Sequence, residues 1–265
     1  MSQYPDLLSL RGRGVVVLGS GAGIGGQVCE AVAQAGGRVL CVDLDAEQAA
    51  RAAARCGGEA LAADITDRAA MAGVVQRAEE LFGDEFFGIV DVVGVTLPRA
   101  LADHDDESAQ RQFDLVLRHA LLVTQLGMPA LARRGGGSVV FVGSLAGWRS
   151  TLRIGMYGAA KAALHQLASA AAHEFGPAGV RVNTVVPGRI VQSGTVAPDP
   201  EALRRVEEAV PLRRAGVPSD VAGTVLFLLS DLAGYVTGAQ VPVDGGIHMV
   251  SALPSTQPAV TASRS

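Results

Sequence analysis

Three residues near the middle of the chain have the types and spacing to move a proton. Tyr157 and Lys161 are four apart, so on a helix they share one face, one turn apart. A phenol, with a pKa of roughly 10, is a poor base at neutral pH. An ammonium beside it favours the phenolate and lowers that value, so the pair can exchange a proton with a substrate hydroxyl or carbonyl. Ser144, thirteen residues before Tyr157, follows the apolar run Ser138-Val-Val-Phe-Val-Gly143. That run reads as a buried strand, and the serine hydroxyl could orient the same substrate oxygen. A Tyr-x-x-x-Lys pair also occurs by chance on solvated helix surfaces, so the elements around it must decide.

The first of those elements is strand, glycine loop, helix. Val15-Val16-Val17-Leu18 is an all-apolar run of the kind covered on both faces. Gly19-Ser-Gly-Ala-Gly-Ile-Gly25-Gly26 follows, then a helical pattern to Ala35. Glycines there permit a tight turn and bring backbone N–H groups to a pyrophosphate at a helix N-terminus. Both Gly21-x-Gly23-x-x-Gly26 and Gly19-x-x-x-Gly23-x-Gly25 fit, and the second starts directly after the strand. The next strand, Arg38 to Asp43, ends in an acid 24 residues after Gly19. A carboxylate there bonds the adenosine ribose hydroxyls and repels a 2′-phosphate. With Leu44 next and no Arg or Lys in the loop, the sequence favours NAD over NADP.

Further strands are read at Glu59–Asp64, Phe87–Gly94, Ser138–Gly143, Gly179–Val186 and Gln240–Gly246, with helices between them. Asp64 and Ile65 fall where an adenine ring would lie, although Asp64 could serve the loop and Thr66 or Asp67 could cap the next helix. Asp91 sits inside an apolar strand and needs partners, either neighbouring backbone or a cofactor. A long helical pattern from Glu107 to Arg133 carries His119 among apolar residues, with a break expected near Gly127-Met-Pro129. Pro187-Gly188 ends the sixth strand, and residues 190–215 read as a lid. Strands alternating with helices imply a parallel, doubly wound α/β sheet in one domain, residues 1–250. Ligands of such sheets bind beyond the strand carboxyl ends, where the glycine loop, Asp43, Ser144 and the lid converge. Residues 251–265 read as a disordered tail.

Composition narrows the classes. With 22 basic and 26 acidic residues the net charge is −4, which offers no footprint for nucleic acid. No uninterrupted apolar run reaches membrane-spanning length, and the first residues lack a secretory pattern. Cys29, Cys41 and Cys56 show no metal-ligand spacing, so free thiols in a reducing cytoplasm are expected, with no metal.

In these motifs the chain resembles the short-chain dehydrogenase/reductase family from about Gly12 to Gly246. The matching pieces are Gly19 to Gly25, Asp43, Asp64-Ile65, Ser144, Tyr157-Gly-Ala-Ala-Lys161, Arg181-Val-Asn183, Pro187-Gly188 and Val243-Asp-Gly-Gly246. The resemblance implies a dehydrogenase acting on a secondary alcohol or ketone. Tyr157 would be the general acid/base, Lys161 would lower its pKa and bind the nicotinamide ribose, and Ser144 would hold the substrate oxygen. The implied cofactor contacts are Gly19, Ser20, Gly23, Ile24, Gly25, Asp43, Leu44, Asp64, Ile65, Asp91, Val92, Tyr157, Lys161, Pro187, Gly188 and Ile190. A homotetramer or homodimer is implied too. Two positions depart from the pattern. Asp91-Val-Val-Gly94 replaces Asn-Asn-Ala-Gly, and Val116 replaces an Asn that helps hold a water in the proton relay. Asp91 or His119 could complete that relay; otherwise the protein binds NAD with little catalysis. An NADPH-dependent ketoreductase is the third reading. Leu97, Leu145, Trp148, Met156, Val191 and Val196 could line an apolar substrate pocket, with Arg149 and Arg153 at its mouth.

Overall fold

The computed structural model describes residues 4–191 and 199–250; the tail and part of the lid lie outside them. Seven strands form one parallel sheet, ordered β3-β2-β1-β4-β5-β6-β7. They are β1 (Gly14–Leu18), β2 (Arg38–Asp43), β3 (Glu59–Ala62), β4 (Phe86–Asp91), β5 (Gly137–Val142), β6 (Val180–Pro187) and β7 (Gln240–Val243). The order reverses between β1 and β4, and the strand carboxyl ends splay there into a crevice. The third and last strands are shorter than expected, ending at Ala62 before Asp64 and at Val243 before Gly246.

Strand side chains alternate between two apolar layers. Val16, Leu18, Ile89, Val139 and Phe141 face one layer; Val15, Val17, Val90 and Val140 face the other. The first layer is closed by α3 (Arg68–Phe82), α4 (Asp106–Ala132) and α5 (Gly155–Phe175). The second is closed by α1 (Ile24–Gln34), α2 (Ala46–Cys56) and α7 (Pro218–Leu229). Within the expected lid, α6 (Pro200–Ala209) forms and Ile190 bridges Gly216; residues 192–198 lie outside the described residues.

Local chemistry sets the helix starts. Asp45, Asp67 and Asp105 each accept backbone N–H groups of the first turn of α2, α3 and α4. The break expected near Pro129 is absent. α4 instead runs through π turns at Asp114–Arg118 and Val123–Gly127, the second just before Pro129, whose missing N–H leaves one helical hydrogen bond unmade. α4 is long and apolar enough to cross a membrane by length and composition alone. Half of its most apolar window is buried in the fold, as in the core helix of a globular protein.

Candidate active site

The crevice holds a cleft of about 330 Å³ lined by Gly19, Ala22, Ile24 and Gly25 on one side and by Ser144, Tyr157 and Lys161 on the other. Val92, Pro187, Gly188 and Ile190 complete it. Larger hollows elsewhere, of about 720 and 570 Å³, do not contain this trio.

The glycine loop has the shape of a dinucleotide cradle. α1 begins at Ile24 with Gly23 at its cap, so its first N–H groups face the cleft. Gly25 packs onto the carbonyl of Gly19, where a Cβ would stand 1.9 Å from that oxygen; any side chain would push the helix off the strand end. At the end of β2, Asp43 accepts the Gly21 N–H at 2.9 Å and the Asp45 N–H at 3.1 Å. That ties the acid to the loop. Leu44 beside it is exposed. Ser20 is fully buried.

Some expected contacts lie elsewhere. Ile65 is buried in the apolar layer above the sheet, so it is a core residue rather than an adenine platform. Asp64 accepts both the N–H and the hydroxyl of Thr66, which holds its carboxyl below the usual range. Asp91 lines no part of the cleft. Its carboxylate turns inward, 2.6 Å from Nδ1 of a fully buried His119. Trp148 donates to Gln240 and lies edge-on to His165 and His248. Arg149 reaches the carbonyls of Ile247, His248 and Val250, so it anchors the end of the described chain rather than the cleft mouth. Val196 falls outside the described residues.

Ser144, Tyr157 and Lys161 meet beyond the end of β5, at the start of α5. The hydroxyls of Ser144 and Thr96 act on the Tyr157 phenol, and the Ser144 hydroxyl also accepts the Ala146 N–H. Burial pushes the phenol above its ordinary value while those two hydroxyls pull it back. The ammonium of Lys161 lies 5.9 Å from the ring centroid, so the lowering expected from it is outweighed. Lys161 is almost wholly buried and donates to the carbonyls of Val142 (2.7 Å) and Val93 (3.4 Å). Burial brings it down to about 8, and the charge of Asp91 opposes that fall. Gly94 makes room for this lysine: a Cβ there would sit 2.8 Å from Nζ.

His165 was not foreseen. It continues the face of Tyr157 and Lys161 by one more turn, at spacings of four and eight. Its Nε2 accepts the Ser144 N–H at 3.4 Å, and the ring fills the space that Gly143 and Gly147 leave by lacking Cβ atoms. The only signal in the sequence was that stripe facing two glycines.

A family model described as enoyl-(acyl carrier protein) reductase matches residues 19–248. The chain is 32% identical to 2,5-dichloro-2,5-cyclohexadiene-1,4-diol dehydrogenase LinX of Sphingobium indicum over 242 residues, covering 89% of this chain and 96% of that protein. It is 32% identical to galactitol 2-dehydrogenase (L-tagatose-forming) of Cereibacter sphaeroides, covering 92% and 98%. Among solved structures, 7α-hydroxysteroid dehydrogenase complexed with NADH and 7-oxo glycochenodeoxycholic acid superposes with a TM-score of 0.85 at 28% identity, covering 92% and 98%.

Proposed function

Since the chain belongs to the short-chain dehydrogenase/reductase family, we propose that it is an NAD-dependent oxidoreductase interconverting a secondary alcohol and a ketone. The observation that carries this reading is the convergence of Ser144, Tyr157 and Lys161 on one cleft with the glycine loop. Relatives named as dehydrogenases of a cyclic diol and a sugar alcohol support the substrate class. Asp43 supports NAD, because a carboxylate joined to the loop at 2.9 Å repels a 2′-phosphate.

The bound nicotinamide would accept or return the hydride. The chain supplies the proton and the geometry. Gly19 to Gly25 and the N-terminus of α1 would hold the pyrophosphate, and Asp43 the adenosine ribose. Ser144 holds the substrate oxygen beside the Tyr157 hydroxyl. Tyr157 gives that oxygen a proton in reduction and takes it in oxidation. Lys161 keeps positive charge next to the phenol, so a phenolate formed in oxidation costs less.

The second reading, a dinucleotide-binding protein with little catalysis, draws on Val116, which is buried and offers no polar group. NADH and NADPH titrations by fluorescence, with wild type and Asp43→Ala, test the cofactor. The expected result is tight NADH binding that weakens about tenfold or more in the variant. A preference for NADPH would overturn NAD and favour a ketoreductase. Turnover of cyclic secondary alcohols then decides catalysis: Tyr157→Phe should abolish it while leaving NADH affinity intact. Full activity in that variant would remove Tyr157 from its role.

A further inference from the structure

β4 ends in a carboxylate that the cleft does not use. Asp91 is 1% exposed and lies between Leu18 of β1 and Phe141 of β5 in register, so apolar residues flank it on both sides. Its Oδ2 meets Nδ1 of His119 at 2.6 Å, and Oδ1 accepts the Val93 N–H at 3.1 Å. The carbonyl of the same Val93 faces Lys161 Nζ. Carboxylate and ammonium therefore grip opposite ends of one residue.

Lys161 is the only lysine in the chain; every other long basic side chain is an arginine. Its hydrogen-bond partners are neutral carbonyls, and a buried ammonium so placed needs a counter-charge. The titratable groups that act on it are Asp91 from β4, and Tyr157 and His165 from its own helix; His119 of α4 stands behind Asp91. Asp91 is the one carboxylate among them. His119 is fully buried, and its Nε2 has no hydrogen-bond partner among the described residues. A second proton there would bury an unbonded N–H and cancel the charge of Asp91. A neutral ring donating from Nδ1 leaves the pair at −1, which matches the +1 of Lys161.

We infer that Asp91 and His119 are positioning residues for Lys161: the neutral imidazole holds the buried carboxylate ionised, and the carboxylate keeps the lone ammonium charged beside Tyr157. They occupy the region where Val116 presents no polar side chain. The inference rests on Tyr157 and Lys161 being the reacting pair, but its main readout is independent of turnover.

A single lysine makes that readout direct. Protein grown with [ε-¹³C]lysine gives one lysine NMR signal, whose pH titration reports Lys161. The wild-type midpoint is expected at about 8. In Asp91→Asn, nearly isosteric and uncharged, it should fall by about one unit or more. In His119→Leu the buried carboxylate loses its 2.6 Å donor and its support of the ammonium weakens, so the midpoint should fall likewise. His119→Asn still offers an N–H to Asp91 and should restore the wild-type midpoint. A merely structural role would leave all folded variants titrating together. If His119→Leu does not fold, the Asn variants carry the test. In the kinetic arm, the acid limb of alcohol oxidation should move to higher pH in Asp91→Asn and His119→Leu, with kcat affected more than KM. An unmoved lysine midpoint in Asp91→Asn overturns this inference. Turnover insensitive to Tyr157→Phe overturns the catalytic reading instead, and the lysine titration still stands or falls by itself.

Discussion

The neutral ring of His165 couples folding to the active-site loop, and acid should expose that coupling. The imidazole is 3% exposed, and it takes a proton only near pH 4, against an ordinary value of 6.5, first because it is buried and second because Lys161 repels the charge. Between those values the unfolded chain binds the extra proton. The stability this group contributes is therefore complete above pH 6.5 and is lost as the pH falls toward 4. The full shift corresponds to about 2 kcal/mol between pH 7 and pH 5, or on the order of 1–1.5 once residual solvent screening is allowed for. For a chain of this size that is about 3–5 °C in Tm. Protonation would also remove the Nε2 lone pair that accepts the Ser144 N–H, freeing the serine loop. The assay is urea unfolding at pH 7 and pH 5, followed by the single tryptophan, Trp148, whose ring lies 6.1 Å from that of His165. His165→Gln is the comparison, because its amide oxygen still accepts the N–H and cannot take up a proton in this range. The variant starts less stable but should lose less on acidification, by that same 1–1.5 kcal/mol. Carboxylates held low elsewhere, such as Glu79 and Asp220, act equally on both proteins and cancel. Equal losses in the two proteins would refute the reasoning.

Two further outcomes follow from packing. Gly25→Ala places a methyl 1.9 Å from the Gly19 carbonyl and should cost about 1–3 kcal/mol in unfolding experiments and abolish NADH binding; Gly73→Ala, in α3 with nothing within 4 Å of the new Cβ, should instead stabilise by about 0.5–1 kcal/mol. Iodoacetamide at pH 7 should modify Cys56 alone, read by mass spectrometry. The Cys56 thiol is drawn down to about 6 by hydrogen bonds from Cys29 and Cys41, whereas Cys29 is pushed far up by those same neighbours and by burial. Labelling of Cys29 before unfolding would count against the cluster.

How much the sequence revealed depends on whether one residue's environment is set by its own element. The strands were legible because a sheet covered on both faces demands continuous apolar runs, and Val15 to Leu18 or Val139 to Val142 cannot read otherwise. The glycine loop was legible because tight turns restrict residue choice. Side-chain direction at strand ends was not. Asp91 ends one strand and Ile65 follows another, and both looked like cleft residues, yet each points into the core; the partner that settles Asp91, His119, is 28 residues away on another layer. The thiols tell the same story. Cys29, Cys41 and Cys56 lie on α1, β2 and α2, yet Sγ of Cys41 lies 3.6 Å from each of the other two, and no spacing rule foresees that.

Burial also changes what the Tyr157–Lys161 pair is before substrate arrives. In water a phenol and an ammonium lose protons at similar pH. Here the same desolvation moves them apart, the phenol upward and the ammonium down to about 8, because each charged form is disfavoured. On raising the pH, the lysine therefore gives up its proton before the tyrosine does. The resting pair at neutral pH is ammonium and intact phenol, which in the proposed reaction is the acid that protonates a ketone oxygen. Oxidation asks more of the site, since it needs a phenolate within apolar walls, and that state is tolerable only while Lys161 stays charged. Val93 joins Lys161 to Asp91, which meets His119 directly, so on the proposed reading the balance between oxidation and reduction depends on a carboxylate that never touches the cleft.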